Sequence, residues 1–149
     1  MKTVLILDND RGIRLLLSEE LAQEGYDVVT CGDGSRPQDT IEQCGPDVII
    51  MDVRVGPHDG LDLLQDIRHR HEELPIILYT ACPAFINDLK SMAADYFVIK
   101  SLDLRELKST VNMALKGIPQ LHAYRERNAL DRTPMPSIGQ LGLVFGEKA

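Results

Sequence analysis

The chain lacks a paired set of cysteines. It holds three, Cys31, Cys44 and Cys82, an odd number at spacings that match no zinc pattern, so neither a disulfide framework nor a thiolate metal site is suggested. Reduced thiols in the cytoplasm are the expectation. Long apolar runs are also missing. Val4-Leu5-Ile6-Leu7 is halted by Asp8, which is too short for a signal peptide or a membrane span. There is no basic excess: 16 Lys and Arg stand against 23 Asp and Glu, a formal net charge of −7, which argues against a free-standing nucleic-acid binder. No internal repeat or low-complexity run breaks the pattern. What is present is 149 residues, 44% hydrophobic and 26% charged, the balance of one globular domain that buries roughly two thirds of its unfolded surface.

Short apolar runs alternate with longer amphipathic stretches. The strand-like runs are Val4–Leu7, Asp27–Thr30, Val48–Met51, Ile76–Tyr79 and Tyr96–Ile99. Several are continuous rather than alternating, as strands buried on both faces require. The first helical stretch, Arg11–Glu24, carries Ile13, Leu16, Leu17 and Leu21 on one face, with Asp10 as N-cap and Gly25 past its end. The second follows Ser35, with Pro37 near its start, and stops at Gly45-Pro46. The third follows Asp59-Gly60, with Leu61, Leu64 and Ile67 in its apolar row. The fourth follows Pro83, with Phe85, Leu89 and Met92 aligned. The fifth starts at Asp103, where Asp103-x-x-Glu106 reads as a capping box and Leu104, Leu107, Val111 and Leu115 form the buried stripe.

Five strand–helix units in alternation predict an α/β fold, a parallel sheet with helices on both faces, because parallel strands need crossover connections. This accounts for residues 1–116. Residues 117–149 hold three prolines and four glycines, with four basic residues against three acidic. They are too few for a second core and read as a C-terminal tail with no independent output domain. A short helix over Leu121–Leu130 and an extended Thr133-Pro134-Met135-Pro136 are expected there.

Sites in open α/β sheets form beyond the carboxyl ends of the strands. Those ends bear Asp8-Asn9-Asp10, Asp52, Thr80-Ala81 and Lys100. Clustered carboxylates repel one another unless a cation joins them. Hard oxygen donors favour Mg²⁺, and Mg²⁺ with an ammonium suits a phosphoryl group. Asp52, in the middle, then reads as a nucleophile that forms an aspartyl phosphate.

These residues resemble the receiver domain of two-component response regulators over about residues 2–116. The motifs are Leu7-Asp8-Asn9-Asp10, Pro46-Asp47-Val48-Ile49-Ile50-Met51-Asp52-Val53-Arg54, Asp59-Gly60, Tyr79-Thr80-Ala81 and Asp95-Tyr96-Phe97-Val98-Ile99-Lys100. The resemblance implies a flavodoxin-like sheet of order 2-1-3-4-5 and a stand-alone phosphorylatable switch rather than a metabolic enzyme. It implies Asp52 as phosphoacceptor, taking a phosphoryl group from a sensor histidine kinase or exchanging one with a histidine phosphotransfer protein. Asp8, Asn9, Asp52 and the backbone carbonyl of Arg54 are the implied Mg²⁺ ligands. Thr80 and Lys100 would contact the phosphoryl group, and Phe97 matches the aromatic whose rotamer follows the threonine. Small Ala81 would leave the site open. The output face would be the fourth helix, fifth strand and fifth helix, with Ile86, Lys90, Phe97 and Arg105 as partner contacts.

The sequence departs from that pattern in three places. Asn9 stands where the family has the second acid of the Mg²⁺ pair. Ser101 stands where proline usually follows the lysine. Gly56-Pro57 inverts the usual order after Asp52. Asn9 and Ser101 favour an alternative: a degenerate receiver serving as a phosphorylation-independent interaction or dimerisation module. A haloacid-dehalogenase-type phosphatase would also use an aspartate in D-x-D, as in Asp8-Asn9-Asp10, but would leave Asp52 unexplained. No helix-turn-helix pattern fits the tail, so direct DNA binding is not expected. Leu121, Tyr124, Leu141, Leu143 and Phe145 offer an apolar set for a homodimer. Asp10 and Asp59 read as helix caps, His58 as a loop residue, and His69 and His71 as divergent side chains rather than a metal pair.

Asn can give Mg²⁺ a carbonyl oxygen but not a charge. Asn9→Asp is therefore expected to tighten Mg²⁺ binding in a direct titration of the unmodified chain. An unchanged affinity would remove residue 9 from the ligand set.

Overall fold

The structure, a computed structural model, describes residues 1–32, 36–55, 58–84 and 89–119. The expected set Leu121, Tyr124, Leu141, Leu143 and Phe145, with Phe85, Ile86 and the Gly56-Pro57 pair, lies outside the described residues. Strands β1 (Thr3–Leu7), β2 (Asp27–Cys31) and β3 (Val48–Met51) alternate with helices α1 (Arg11–Gln23) and α2 (Pro37–Cys44). A short hairpin of β4 (Arg54–Val55) and β5 (His58–Asp59) precedes α3 (Gly60–Arg70). Then come β6 (Ile76–Thr80), β7 (Tyr96–Ile99) and α4 (Arg105–Leu115).

The main sheet has the order β2-β1-β3-β6-β7, and every pairing in it is parallel. Counting only its own strands, that is 2-1-3-4-5. Successive side chains of a strand point to opposite faces, and the apolar runs divide accordingly. Leu5, Leu7, Ile49, Met51, Ile76, Leu78 and Phe97 pack with Ile41 of α2 and Leu61, Leu64 and Ile67 of α3. Val4, Ile6, Val48, Ile50, Ile77, Tyr79, Tyr96 and Val98 pack with Leu17 and Leu21 of α1 and Leu107, Val111 and Ala114 of α4. The first apolar layer thus lies against α2 and α3, the second against α1 and α4. The sequence had to be apolar at consecutive positions because both faces are covered.

Helix ends follow local chemistry. The Asp10 carboxylate accepts from the N–H groups of Gly12 at 2.8 Å and Ile13 at 3.2 Å, capping α1. Asp59 caps α3 through the Leu61 N–H at 2.9 Å. Gly45 closes α2 with a left-handed φ of 55°, a conformation that only glycine adopts without steric cost.

Three expectations need correction, and one element lay outside them. Over the described residues Leu89–Ala93 of the expected fourth helix the chain forms a 3₁₀ helix, and Met92 is 53% exposed rather than buried. The capping box at Asp103 does not form: Leu104 is the N-cap and gives no side-chain bond. The Asp103 carboxylate instead pairs with Arg105 two residues on, binding both its backbone N–H and its guanidinium. Leu16 leaves the α1 stripe and is 39% exposed. The β4–β5 hairpin was not expected at all, since two-residue strands carry no periodicity.

The amino edge of the sheet is tied by one side chain. Arg68, near the end of α3, donates to the carbonyls of Ala93 (3.0 Å), His71 (3.2 Å), Glu72 (2.8 Å) and Leu74 (2.8 Å). It also pairs with the Asp95 carboxylate at 2.5 Å, which in turn accepts the Ile76 N–H at 2.9 Å. The planar guanidinium can serve several acceptors at once. It joins α3, the loop into β6, the 3₁₀ helix and the entry to β7. Arg68→Ala is expected to cost about 3 kcal/mol of unfolding free energy in urea denaturation, since it strands several acceptors and one carboxylate. Arg68→Lys recovers less than half of that.

Candidate functional site

The parallel ladder runs one residue past the strands and fixes the backbone of the site. The Asp8 N–H donates to the Cys31 carbonyl at 3.3 Å, Asp52 N–H to Leu7 at 3.0 Å and Lys100 N–H to Thr80 at 2.8 Å. Asp8, Asp52, Thr80 and Lys100 therefore stand at the same carboxyl edge, each just beyond or at the end of its strand.

Lys100 joins the two acids. Its Nζ lies 2.9 Å from Asp8 Oδ2 and 3.0 Å from Asp52 Oδ2. The Asp8 side chain is almost fully buried and the other two are largely so. Each carboxylate uses its second oxygen on backbone: Asp8 Oδ1 accepts the Asp10 N–H at 2.8 Å, and Asp52 Oδ1 accepts the Val53 N–H at 2.7 Å. Burial pushes the Asp8 carboxyl up, against the Asp10 N–H and the Lys100 ammonium that hold it down, with the Asp52 charge adding to the rise. Burial pulls the Lys100 ammonium down, but its bonds to Asp8 and Asp52 together outweigh that and keep it above the ordinary lysine value.

Thr80 is buried on the neighbouring strand, and its hydroxyl accepts the Cys82 N–H at 3.2 Å. Phe97 is fully buried in the layer against α3, so in this conformation it offers no surface to a partner. Arg105, of the same expected face, is exposed. Asn9 is exposed, and Asp10 is spent on the helix cap. Arg54 opens β4, its backbone paired with Asp59.

Two features escaped the sequence reading. Gly60 donates its N–H to the Val53 carbonyl at 2.7 Å, and a Cβ there would lie 2.3 Å from that oxygen and 2.6 Å from the Asp52 carbonyl. Only glycine lets α3 abut the peptide that carries Asp52. The second is Arg14, whose guanidinium donates to the Asp8 carbonyl at 2.7 Å and fills the space beside Gly32. Neither has a sequence signal beyond the Asp-Gly pair.

The trio of Asp8, Asp52 and Lys100 carries one uncompensated negative charge. Two carboxylates, a backbone carbonyl at Arg54 and the Asn9 amide are hard oxygen donors, and a divalent cation among them would offset that charge, so the donor set fits Mg²⁺.

The chain matches the model of the response regulator receiver domain over residues 4–112. Among solved structures it is similar to the response regulator TrrA of Thermotoga maritima in complex with Mg²⁺-BeF, with 36% identity, 76% of this chain and 99% of that chain covered, and a TM-score of 0.73. TrrA in complex with the histidine kinase ThkA matches at 34% identity, 77% and 99% coverage and a TM-score of 0.67. A chemotaxis response regulator of Vibrio cholerae matches at 25% identity, 76% and 98% coverage and a TM-score of 0.69.

The raised Asp8 pKa has a definite sign in folding. A carboxyl whose pKa is higher folded than unfolded binds protons more tightly in the native state, so its ionisation costs stability above that raised value. Asp8→Asn is expected to be more stable than wild type at pH 7, with the difference shrinking as pH falls through the raised pKa toward the ordinary aspartate value of 3.8. Chemical denaturation at a series of pH values measures this.

Proposed function

The chain belongs to the response regulator receiver domain family, and from that premise we propose that it is a phosphorylatable signalling switch with Asp52 as phosphoacceptor. The observation that supports this most is the bridging of Asp8 and Asp52 by Lys100, at 2.9 and 3.0 Å. It holds the central carboxylate beside a cation with its second oxygen on the Val53 N–H.

An Asp52 oxygen attacks the phosphorus of a phosphohistidine as the phosphorus–nitrogen bond breaks and the histidine leaves. Lys100 exchanges one carboxylate partner for a phosphoryl oxygen. Mg²⁺, held by Asp8, Asp52, the Arg54 carbonyl and Asn9, would neutralise phosphoryl charge when bound. The acyl phosphate carries about −1.5 to −2 charge where the free Asp52 carboxylate carried −1, so the edge of the sheet gains up to about one negative charge. The Thr80 hydroxyl then leaves the Cys82 N–H and donates to a phosphoryl oxygen, and Phe97 repacks behind it. The difference in contacts between the two states sets how far the equilibrium moves. Water attack on the acyl phosphate resets Asp52, so no separate enzyme activity is required.

The partners are a sensor histidine kinase or a histidine phosphotransfer protein on one side and a downstream protein on the other. TrrA in complex with a histidine kinase supports the first. The downstream face is β7, α4 and the helical segment before β7, with Ile86, Lys90 and Arg105 as contacts. Among the described residues no helix is long and apolar enough to cross a membrane; a cytoplasmic location and the reading of 117–149 as a tail, available for a homodimer, belong to the proposal. Exposed Asn9 favours one rival reading, a phosphorylation-independent interaction module, because it leaves the acid pair one charge short.

Intact mass after incubation with a small phosphodonor decides between them. The expected result is a Mg²⁺-dependent gain of one phosphoryl group in wild type and none in Asp52→Asn. No gain at saturating Mg²⁺ from either the small donor or a phosphohistidine protein supports the interaction module instead.

A further inference from the structure

Asp8 spends every polar group it has. Its N–H reaches the Cys31 carbonyl at 3.3 Å, just beyond the usual range for such a bond. Its two carboxylate oxygens accept from the Asp10 N–H at 2.8 Å and from Lys100 at 2.9 Å. Its carbonyl accepts from Arg14 Nη1 at 2.7 Å, the shortest of the four. The ladder loosens where the site begins, so the bond from Arg14 holds the plane of the Asp8–Asn9 peptide.

Arg14 is placed for this by α1. It lies in the first turn, where its own N–H donates to the Asp10 carbonyl at 3.1 Å, and a long helical side chain leans back toward the amino end. A Cβ at Gly32 would fall on Arg14 Nη1 and lie 2.6 Å from Cζ and 3.1 Å from Nη2, so the guanidinium lies against the residue that follows β2. The Gly32 backbone is not left-handed. Conformation therefore does not call for glycine there; the room taken by the guanidinium does. One side chain from α1 thus joins the ends of β1 and β2 at the segment that carries Asp8 and Asn9.

We propose that Arg14 is the positioning residue for Asp8 and Asn9 as Mg²⁺ donors, and that position 32 is glycine to admit its guanidinium. The positioning belongs to the unmodified chain; its consequence for Mg²⁺ rests on the phosphoacceptor reading. Mg²⁺ demands near-octahedral geometry, and removing a partner that orients a ligand from behind costs about 10–100-fold in metal affinity. The sign separates this role from plain electrostatics. A guanidinium acting only by its charge repels Mg²⁺, so its loss would tighten metal binding. A guanidinium that orients the donors weakens binding when it is lost.

Arg14→Met keeps an aliphatic stem and removes the donor. Gly32→Ala keeps every charge and leaves α1 untouched. The atoms its methyl strikes are the tip of a flexible side chain, so the guanidinium gives way rather than the strand. Cooperative thermal melts check that both variants fold. In direct Mg²⁺ titration of the unmodified full-length chain, the dissociation constant is expected to rise about tenfold in Arg14→Met and about three- to tenfold in Gly32→Ala. The Asp8 carbonyl carbon resonance is expected to move upfield in both as its bond is lost. In the Arg14→Met background, Gly32→Ala is expected to add nothing. An unchanged or tighter Mg²⁺ constant in Arg14→Met overturns the proposal. So does an Asp8 carbonyl resonance that stays in place in both variants, or a Gly32→Ala effect of equal size in the two backgrounds. A wild-type chain that binds no Mg²⁺ overturns the metal site of the phosphoacceptor reading instead, and the carbonyl resonance in the two variants then decides the role of Arg14.

Discussion

Two carboxylates at the ends of adjacent parallel strands repel each other, and the site exists because one ammonium stands between them. Lys100 makes a contact of about 3 Å to each, close to the ideal for a charge-assisted hydrogen bond. All three groups are largely withdrawn from water, where such contacts count for more than at the surface. The sheet order is what brings them together. β1 and β3 are neighbours, so Asp8 and Asp52 come side by side. β7 is two strands from β3, with β6 between them, so a long side chain is needed to reach across, and lysine is long enough. A shorter base at position 100 would leave the acids unjoined.

The opposite edge of the sheet is organised on another principle. There the acceptors are backbone carbonyls and the cation is Arg68, which gathers the loop into β6 and the entry of β7 around one plane. A guanidinium suits that task because it is always charged and its donors are fixed in direction. An ammonium suits the other edge because its donors rotate and it can exchange partners. The choice of base at each end matches a static role at one and, on the proposed function, a variable role at the other.

Most of the fold was legible because it rests on local or periodic signals. Continuous apolar runs gave all five sheet strands to within a residue at either end. Asp10, Gly45 and Asp59 marked helix boundaries through their own backbone chemistry. The site residues were legible as types at strand ends, and four of them do meet at one edge. What was not legible depends on distance in sequence or on close approach. Arg68 finds its partners up to 27 residues away, and no pattern announces that. Gly60 is needed for a contact with Val53, which only packing reveals. The segment before β7 looked helical by its apolar spacing, yet takes a tighter 3₁₀ turn that leaves Met92 outside. Asp103 spaced a capping box correctly but found Arg105 nearer than the helix it was meant to cap.

The hydrogen bond between the Cys82 N–H and Thr80 has a practical side. Of the three cysteines, Cys31 is buried, Cys44 is partly covered and Cys82 is exposed. A thiol reagent under mild conditions therefore marks Cys82 first. That thiol hangs from the same peptide that Thr80 holds, so a dye attached there rides on the loop any motion of the threonine must pull. On the proposed switch, a single labelling step with no residue introduced would turn the natural chain into its own optical sensor.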